Sequence, residues 1–380
     1  MLSSEWERIE RELIHQEILE QRAIAAALAG RARPRWPDGG GRTVVTGAGD
    51  SLCAADLVAA LFPGRGIEAR PALDASALAS GLDASAPGLG AADALLGVSV
   101  SGRTPRVVEA CLRARRAGAR TVAVTDDPQS PLASACEETW RIGASPPHEL
   151  ATSSYQTDGA REYVGYHHDV AQTKTFFAAV LTLAHAAGGV DAESLERLVE
   201  GLVADTFVRP LAAHAEDLAQ AGQSFFLGGP TTRPLARFAS YKMFEFNRLA
   251  HASDVEEYCH THYFVTRPGD AVVFALADAE SARRAREVAP VLAELFDARI
   301  VALRSEDLPP VGGASLDVPL PSGATALERH VALLVALEWL CYLWGRVGAP
   351  DVDTFHAGYD TERLVAASMR TIRRSEVVGG

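Results

Sequence analysis

The sequence predicts an α/β protein: two doubly wound parallel-sheet domains, an N-terminal helix in front of them and an irregular C-terminal tail behind. Three observations predict it. Short apolar strand segments alternate with helical ones, which requires a parallel sheet covered on both faces. The order of strand, Gly-rich turn and helix recurs after about 180 residues, the size of one α/β unit and not of a solenoid repeat. The chain has 380 residues, 48% hydrophobic and 22% charged, enough for two buried cores.

Residues 5–30 read as one helix, because Ile9, Leu13, Ile18, Leu19 and Ile24 recur at helical spacing. Pro34, Pro37 and the glycines at 39–41 stop it. The first strand is Thr43–Thr46, followed by Gly47-Ala48-Gly49-Asp50-Ser51 and a helix over Leu52–Phe62. Strand Ala94–Val100 runs into Ser101-Gly102-Arg103-Thr104 and a helix over Pro105–Ala117; strand Thr121–Thr125 comes next. In the second half, Phe225–Leu227 leads to Gly228-Gly229-Pro230-Thr231-Thr232 and a helix. Ala271–Ala277 leads to a helix over Ser281–Leu295, and Arg299–Leu303 is the last strand of the series. Long apolar helices over Thr175–Ala187 and Leu327–Val347 close the halves. The expected boundaries are 1–40 for the N-terminal helix and linker, 41–200 and 201–347 for the two domains, and 348–380 for the tail.

Net charge is −13, which argues against nucleic acid or an anionic membrane as partner. No apolar run approaches the ~20 residues of a membrane helix. The acidic start, MLSSEWERIERE, resembles neither a secretory signal nor a transit peptide. Five scattered cysteines without a CxxC read as free thiols in a reducing cytoplasm. Only two basic residues are lysines, Lys174 and Lys242; all others are arginine. In so Arg-biased a chain, the two retained lysines are worth locating.

Ser99-Val100-Ser101-Gly102-Arg103-Thr104 lies between a buried strand and a helix. Hydroxyls and backbone N–H groups converge there at a helix N-terminus, where the dipole favours an anion. A plain Ser or Thr N-cap is the simpler alternative. The second turn at Gly49, Asp50 and Ser51, one strand earlier, favours the anion site, because ligands of such sheets bind beyond the carboxyl ends of the strands. Further along, Lys242 and Glu245 share a helix face within FASYKMFEF, a run too apolar for a solvated face.

With these motifs in view, the chain resembles the sugar isomerase (SIS) domain proteins, most closely the double-SIS isomerase module of glucosamine-6-phosphate synthase and its free-standing relatives. Glu17-Ile18-Leu19-Glu20-Gln21 matches the entry helix, and Ser99, Ser101, Gly102 and Thr104 match the S-x-S-G-x-T phosphate loop. Gly49-Asp50-Ser51 resembles the G-T-S turn, with Asp for Thr. Val170-Ala171-Gln172-Thr173-Lys174 resembles the V-A-S-T-K segment that closes over the sugar, with Gln172 for Ser. Lys242-Met243-Phe244-Glu245 matches K-x-x-E, and Glu257-Tyr258-Cys259-His260 resembles E-L-K-H. The resemblance implies a phosphosugar aldose–ketose isomerase acting at C1/C2. Ser51, Ser99, Ser101 and Thr104 would hold the phosphate, Glu245 would move the proton, Lys242 would balance the enediolate, and His260 would open the ring. It also implies a homodimer with shared sites, a tail lying over the active site and no cofactor.

The chain departs from the pattern in three places. Residue 2 is Leu and not Cys, so no glutaminase is expected. The Schiff-base lysine falls near Ala367, so no imine with the sugar is expected. An insertion over residues 144–168 precedes the V-A-x-T-K segment, and Tyr155, Arg161, Tyr166, His167 and His168 are candidate substrate readers. His262, two residues from His260, is another; an extended segment would put both on one face, as in metal sites. The spacings of His167, His168, His260 and His262 are unspecific, and no metal is expected. Two alternatives stand beside the isomerase: a deglycase or deaminase releasing an amine from an amino-sugar phosphate, and a non-catalytic sugar-phosphate regulator. Glu245 and His260, both present, favour an enzyme.

Overall fold

The computed structural model describes residues 3–378, apart from 38–39, 84–85, 145–154, 158–159, 163–170, 172, 350–351, 353–362, 364–366, 368–369 and 373. The chain opens with helices α1 (Ser3–Ile9) and α2 (Leu13–Ala27). The first sheet is built from β1 (Thr43–Gly47), β2 (Ile67–Pro71), β3 (Ala94–Val98), β4 (Arg120–Thr125) and β5 (Glu138–Arg141), with α3 (Asp50–Leu61), α4 (Ala72–Ala79), α5 (Pro105–Arg116) and α6 (Pro131–Ala135) between them. A short antiparallel ribbon follows, β6 (Tyr155–Thr157) with β7 (Ala160–Glu162). Helices α7 (Lys174–Ala187), α8 (Ala192–Leu202), α9 (Asp205–Ala212) and α10 (Ala215–Leu218) lead to the second sheet. That sheet comprises β8 (Ser224–Gly228), β9 (Ala250–Asp254), β10 (Ala271–Leu276), β11 (Arg299–Ser305) and β12 (Leu316–Leu320), with α11 (Arg233–Glu245), α12 (Val255–His260) and α13 (Ala279–Phe296). Helix α14 (Ala326–Gly345) comes last, opened by a capping box between Thr325 and Glu328.

Both sheets have five parallel strands. The first runs β2-β1-β3-β4-β5. The second, read from its other edge, runs β9-β8-β10-β11-β12. Chain order maps one onto the other strand by strand. In each, the winding reverses beside the first strand, between β1 and β3 and between β8 and β10, and there a crevice opens at the carboxyl ends of the strands. The central strands are buried on both faces, as their continuous apolar sequences require.

The chain divides into two compact units. One contains the first sheet: residues 30–168, 174–190 and 359–380. The other contains the second sheet: residues 1–29, 169–173 and 191–358. In the first, the core gathers around Val44, Leu95, Val107, Cys111 and Ala123; in the second, around Phe225, Tyr258, Val272, Phe274 and Ile300. The stretch expected as one helix over 5–30 is two. The break falls at Glu10–Glu12, where Glu12 accepts hydrogen bonds from Tyr342 (2.5 Å) and from the guanidinium of Arg346 (2.8 and 3.0 Å) on and just after α14. Tertiary contact overrides local periodicity there. All five cysteines are free thiols. Among the described residues, no helix is long and apolar enough to cross a membrane.

Candidate functional site

In the first-sheet unit, adjacent β1 and β3 pair in parallel with Thr46 opposite Gly97, so the loops that follow them start side by side. The first loop passes through Gly49 at φ 55°, a conformation that favours glycine, and enters α3. Asp50 and Ser51 stand in the first turn of α3, half-buried. The second loop is Ser99–Thr104. Ser99 is buried, and its Oγ lies 2.9 Å from Oγ1 of Thr104. Thr104 occupies the N-cap position of α5, yet its hydroxyl makes no cap. The simple N-cap alternative thus fails for Thr104: its side chain turns to Ser99, while its carbonyl takes the N–H groups of Val107 (3.0 Å) and Val108 (3.1 Å). Gly102 has φ 63°, and a Cβ there would run into Ser130 Oγ. The loop is pinned from beneath by Gly102 N–H to Ser99 O (2.9 Å), Asp126 N–H to Val100 O (2.9 Å) and Thr125 Oγ1 to Val100 O (2.9 Å).

Sequence reasoning passed over Arg103, the cation of this loop. Its guanidinium donates to Asp127 Oδ2 (2.7 Å) and to Ser101 O (3.0 Å), and its backbone N–H reaches Ser101 Oγ (3.3 Å). The signal was a cation inside a hydroxyl-rich loop, but the anchoring Asp127 is 24 positions away and not recognisable from spacing.

In the second-sheet unit, Lys242 and Glu245 lie on the last turn of α11. Lys242 Nζ is 2.7 Å from Glu245 Oε2. Lys242 is 1% exposed, and its ammonium sits 5.2 Å from the centroid of Phe238. The Glu245 side chain keeps 20% exposure. A buried lysine beside a partly open carboxylate is not a solvated surface pair: desolvation strengthens the attraction and holds the carboxylate in place. His260 ends α12 and is exposed, with Nε2 3.2 Å from Glu256 Oε1. His262 starts the 3-10 turn His262–Val265 and stacks on Tyr258 at 6.4 Å. The segment is helical and then 3-10, not extended, so the condition under which spacing would put His260 and His262 on one strand face is not met. Asp254 dictates this by capping α12 through the Glu257 N–H (2.8 Å). Among the described residues no group of three or more His, Cys, Asp or Glu could hold a metal.

Thr173 is buried and hydrogen-bonded to Glu17; Lys174 is buried at the start of α7. Tyr155 and Arg161 lie in the β6–β7 ribbon. Tyr166, His167, His168, Val170 and Gln172 lie outside the described residues. In the tail, Arg363 and Ala367 are helical and exposed, and Ser375 is buried with its hydroxyl on Glu109 of α5.

The crevice of the second sheet differs from the first. A cavity of about 580 Å³ opens there, lined among others by Gly229, Arg233, Asp254, Glu256, Arg284 and Glu287. Asp254 caps α12, and Asp278 caps α13 through the Ser281 N–H (2.9 Å). Carboxylates of the chain itself already occupy these helix N-termini, whereas α5 offers hydroxyls and a guanidinium.

Residues 40–159 match the SIS domain family. Curated proteins include one relative over a short stretch: N-acetylmuramic acid 6-phosphate etherase of Thermobifida fusca is 62% identical over 42 residues, covering 11% of this chain and 14% of that protein. Solved structures share the fold along most of the chain. The C-terminal domain of glucosamine-fructose-6-phosphate aminotransferase from Francisella tularensis superposes with a TM-score of 0.68 at 14% identity, covering 88% of this chain and 96% of that one. Tagatose-6-phosphate ketose/aldose isomerase from Escherichia coli gives 0.68 at 15% identity, covering 90% and 95%. Glucosamine-6-phosphate deaminase from Thermotoga maritima gives 0.64 at 17% identity, covering 90% and 98%. The SIS match thus spans the first crevice with both of its loops, and the shared fold extends over both sheets.

Proposed function

We propose that the chain is a phosphosugar isomerase with two SIS-type units, the second-sheet unit being the second copy. The observation that carries this is the Lys242–Glu245 pair, a carboxylate held by a buried ammonium, in a chain whose SIS match contains an intact S-x-S-G-x-T loop. Ser51, Ser99, Ser101, Thr104 and Arg103 hold the phosphate. Glu245 removes the proton at C2 of the open-chain aldose phosphate and returns it to C1. Lys242 stabilises the enediolate that forms between these steps. His260 assists ring opening at the partner's site in the homodimer that the family resemblance implies, and its exposure on its own chain agrees with that role. Thr173 and Lys174, with the neighbouring Val170 and Gln172, close over the sugar. The enzyme works in the cytoplasm without an imine to the sugar, because a lysine is absent from residues 348–380.

The etherase relative favours a second reading. The first half-reaction is the same: Glu245 takes the proton at C2 beside the C1 carbonyl. If C3 carries an ether oxygen, the enolate expels it and no ketose forms. Amine release from an amino-sugar phosphate is the third outcome of one enolising site.

The test is proton NMR in D2O with a panel of hexose 6-phosphates, amino-hexose 6-phosphates and a 3-O-alkylated hexosamine 6-phosphate. Loss of the C2 proton signal with ketose formation is expected. Elimination of the 3-O substituent would replace the isomerase by the etherase reading. No exchange with any member of the panel would refute an enolising enzyme.

A further inference from the structure

Glu17 lies in the middle of α2 and is 0% exposed. A carboxylate at that depth is costly and persists where donors compensate it. Two of them come from one residue: the Thr173 N–H at 3.1 Å and the Thr173 hydroxyl at 3.3 Å, both onto Oε2. One turn further on the same face, Gln21, also 0% exposed, donates from Nε2 to Glu338 Oε2 on α14 at 2.5 Å. The charge of Glu338, together with those of Lys242 and Glu245, acts on the buried Cys341 thiol, which burial pushes well above its ordinary value. One face of α2 therefore carries two buried polar groups at i,i+4. The first grips Thr173, directly before Lys174; the second grips a carboxylate in the neighbourhood of the Lys242–Glu245 pair. Packing alone would be served by apolar residues at both positions, as at neighbouring Ile14 and Ile18.

We propose that Glu17 is a positioning residue that fixes Thr173 and thereby the Thr173–Lys174 step of the segment assigned to the sugar phosphate. This rests on the function proposed above. Glu17 touches no reacting atom. It sets where the segment stands before substrate arrives, so its effect falls on KM and not on kcat.

The experiment uses the full chain, the hexose 6-phosphate the wild type turns over fastest, and hydrogen exchange of the peptide spanning Thr173. In Glu17→Leu, exchange at Thr173 accelerates and KM rises at least about tenfold, with kcat within about threefold of wild type. Glu17→Gln retains both properties, because its amide oxygen accepts the same N–H. Thr173→Ala raises KM in the wild type and adds nothing in Glu17→Leu. A folded Glu17→Leu with unchanged KM overturns the proposal, as does additivity of the two substitutions. If Glu17→Leu fails to fold, Glu17→Asp, which withdraws the acceptor by one methylene, decides instead: unchanged KM in the folded variant overturns it. A wild type inactive toward every sugar phosphate overturns the function itself, and is told apart because wild type and variant are then equally silent.

Discussion

At the scale of single residues, the chemistry turns on which charges are buried together. Lys242 is all but inaccessible and Glu245 is not, so the ammonium is fixed while the carboxylate can reach a ligand. Glu245→Gln is expected to fold, since an amide oxygen still accepts from the ammonium. It should lose about 10²–10⁴ in kcat with little change in KM, the usual worth of a general base. Steady-state kinetics and C2–H exchange measured on one preparation check this, and near-native turnover would make Glu245 structural. Much of this pair was legible in the sequence. The spacing placed both side chains on one helix face, and the apolar run around Lys242 pointed inward. The buried partners of Glu17 and Gln21 were not, because Thr173 and Glu338 are 156 and 317 positions away. Sequence patterns report period and propensity, and contacts across the fold leave no trace in either.

At the scale of elements, the crevice loop works as a strand–turn–helix unit held from below. Gly102 is its tightest point, with a positive φ and no room for a Cβ against Ser130. Gly102→Ala should therefore cost about 1–3 kcal/mol of stability and push the Ser99–Thr104 hydroxyl pair apart. The expected readout is a lower thermal midpoint together with a KM for sugar phosphate raised more than about tenfold, the worth of one lost charged hydrogen bond. A variant with unchanged KM would show that the loop does not bind the phosphate. Element prediction succeeded where burial is two-sided. β1, β3, β4, β8, β10 and β11 are nearly continuous apolar runs and were readable. The edge strands β2, β5, β9 and β12, with sequences IEARP, ETWR, AHASD and LDVPL, were missed. They are shorter or more polar because one edge faces solvent, so the period that marks a core strand is absent. Around His260, Asp254 was the overlooked start signal: it caps α12, so the segment that would have to be extended to put His260 and His262 on one face is helical instead.

At the scale of the whole molecule, identical strand order in the two sheets is what the repeat at about 180 residues predicted. The two sheets share strand order and differ in chemistry: hydroxyls and an arginine at the first crevice, capping carboxylates at the second. Both units share a further property, buried or half-buried histidines held toward the neutral form. His15 and His330 lie in the second-sheet unit with His251, and His185 lies in the first. Burial holds all four below the ordinary imidazole value of 6.5. For His330 burial outweighs the bond that Nδ1 donates to Ala326 O at 2.7 Å, which acts the other way; in the neutral ring with that tautomer, Nε2 accepts from Thr231 Oγ1 at 2.8 Å. A second proton on that ring would need the Thr231 hydroxyl to turn from donor to acceptor. Below pH 6.5 the unfolded chain takes up protons that the folded one refuses, so stability rises with pH in this range and is lost as pH falls beneath it. Asp126, which burial pushes upward, works in the opposite sense, because the folded chain binds its proton more readily than the unfolded one. Glu109 returns to the histidine sense at lower pH. Burial raises it, but hydrogen bonds from Ser375 and Arg106 outweigh that and leave it below 4.5, so its contribution disappears as acid protonates it. The expected profile is a urea midpoint that is flat above pH 7 and falls progressively from pH 6.5 toward 5. His330→Gln should flatten part of that slope, because the amide keeps a donor and an acceptor and cannot be protonated. Urea titrations at half-unit pH intervals, on wild type and His330→Gln, decide it: a wild-type midpoint that stays level between pH 7 and 5, or a variant whose slope matches wild type, would mean that burial does not keep these rings neutral.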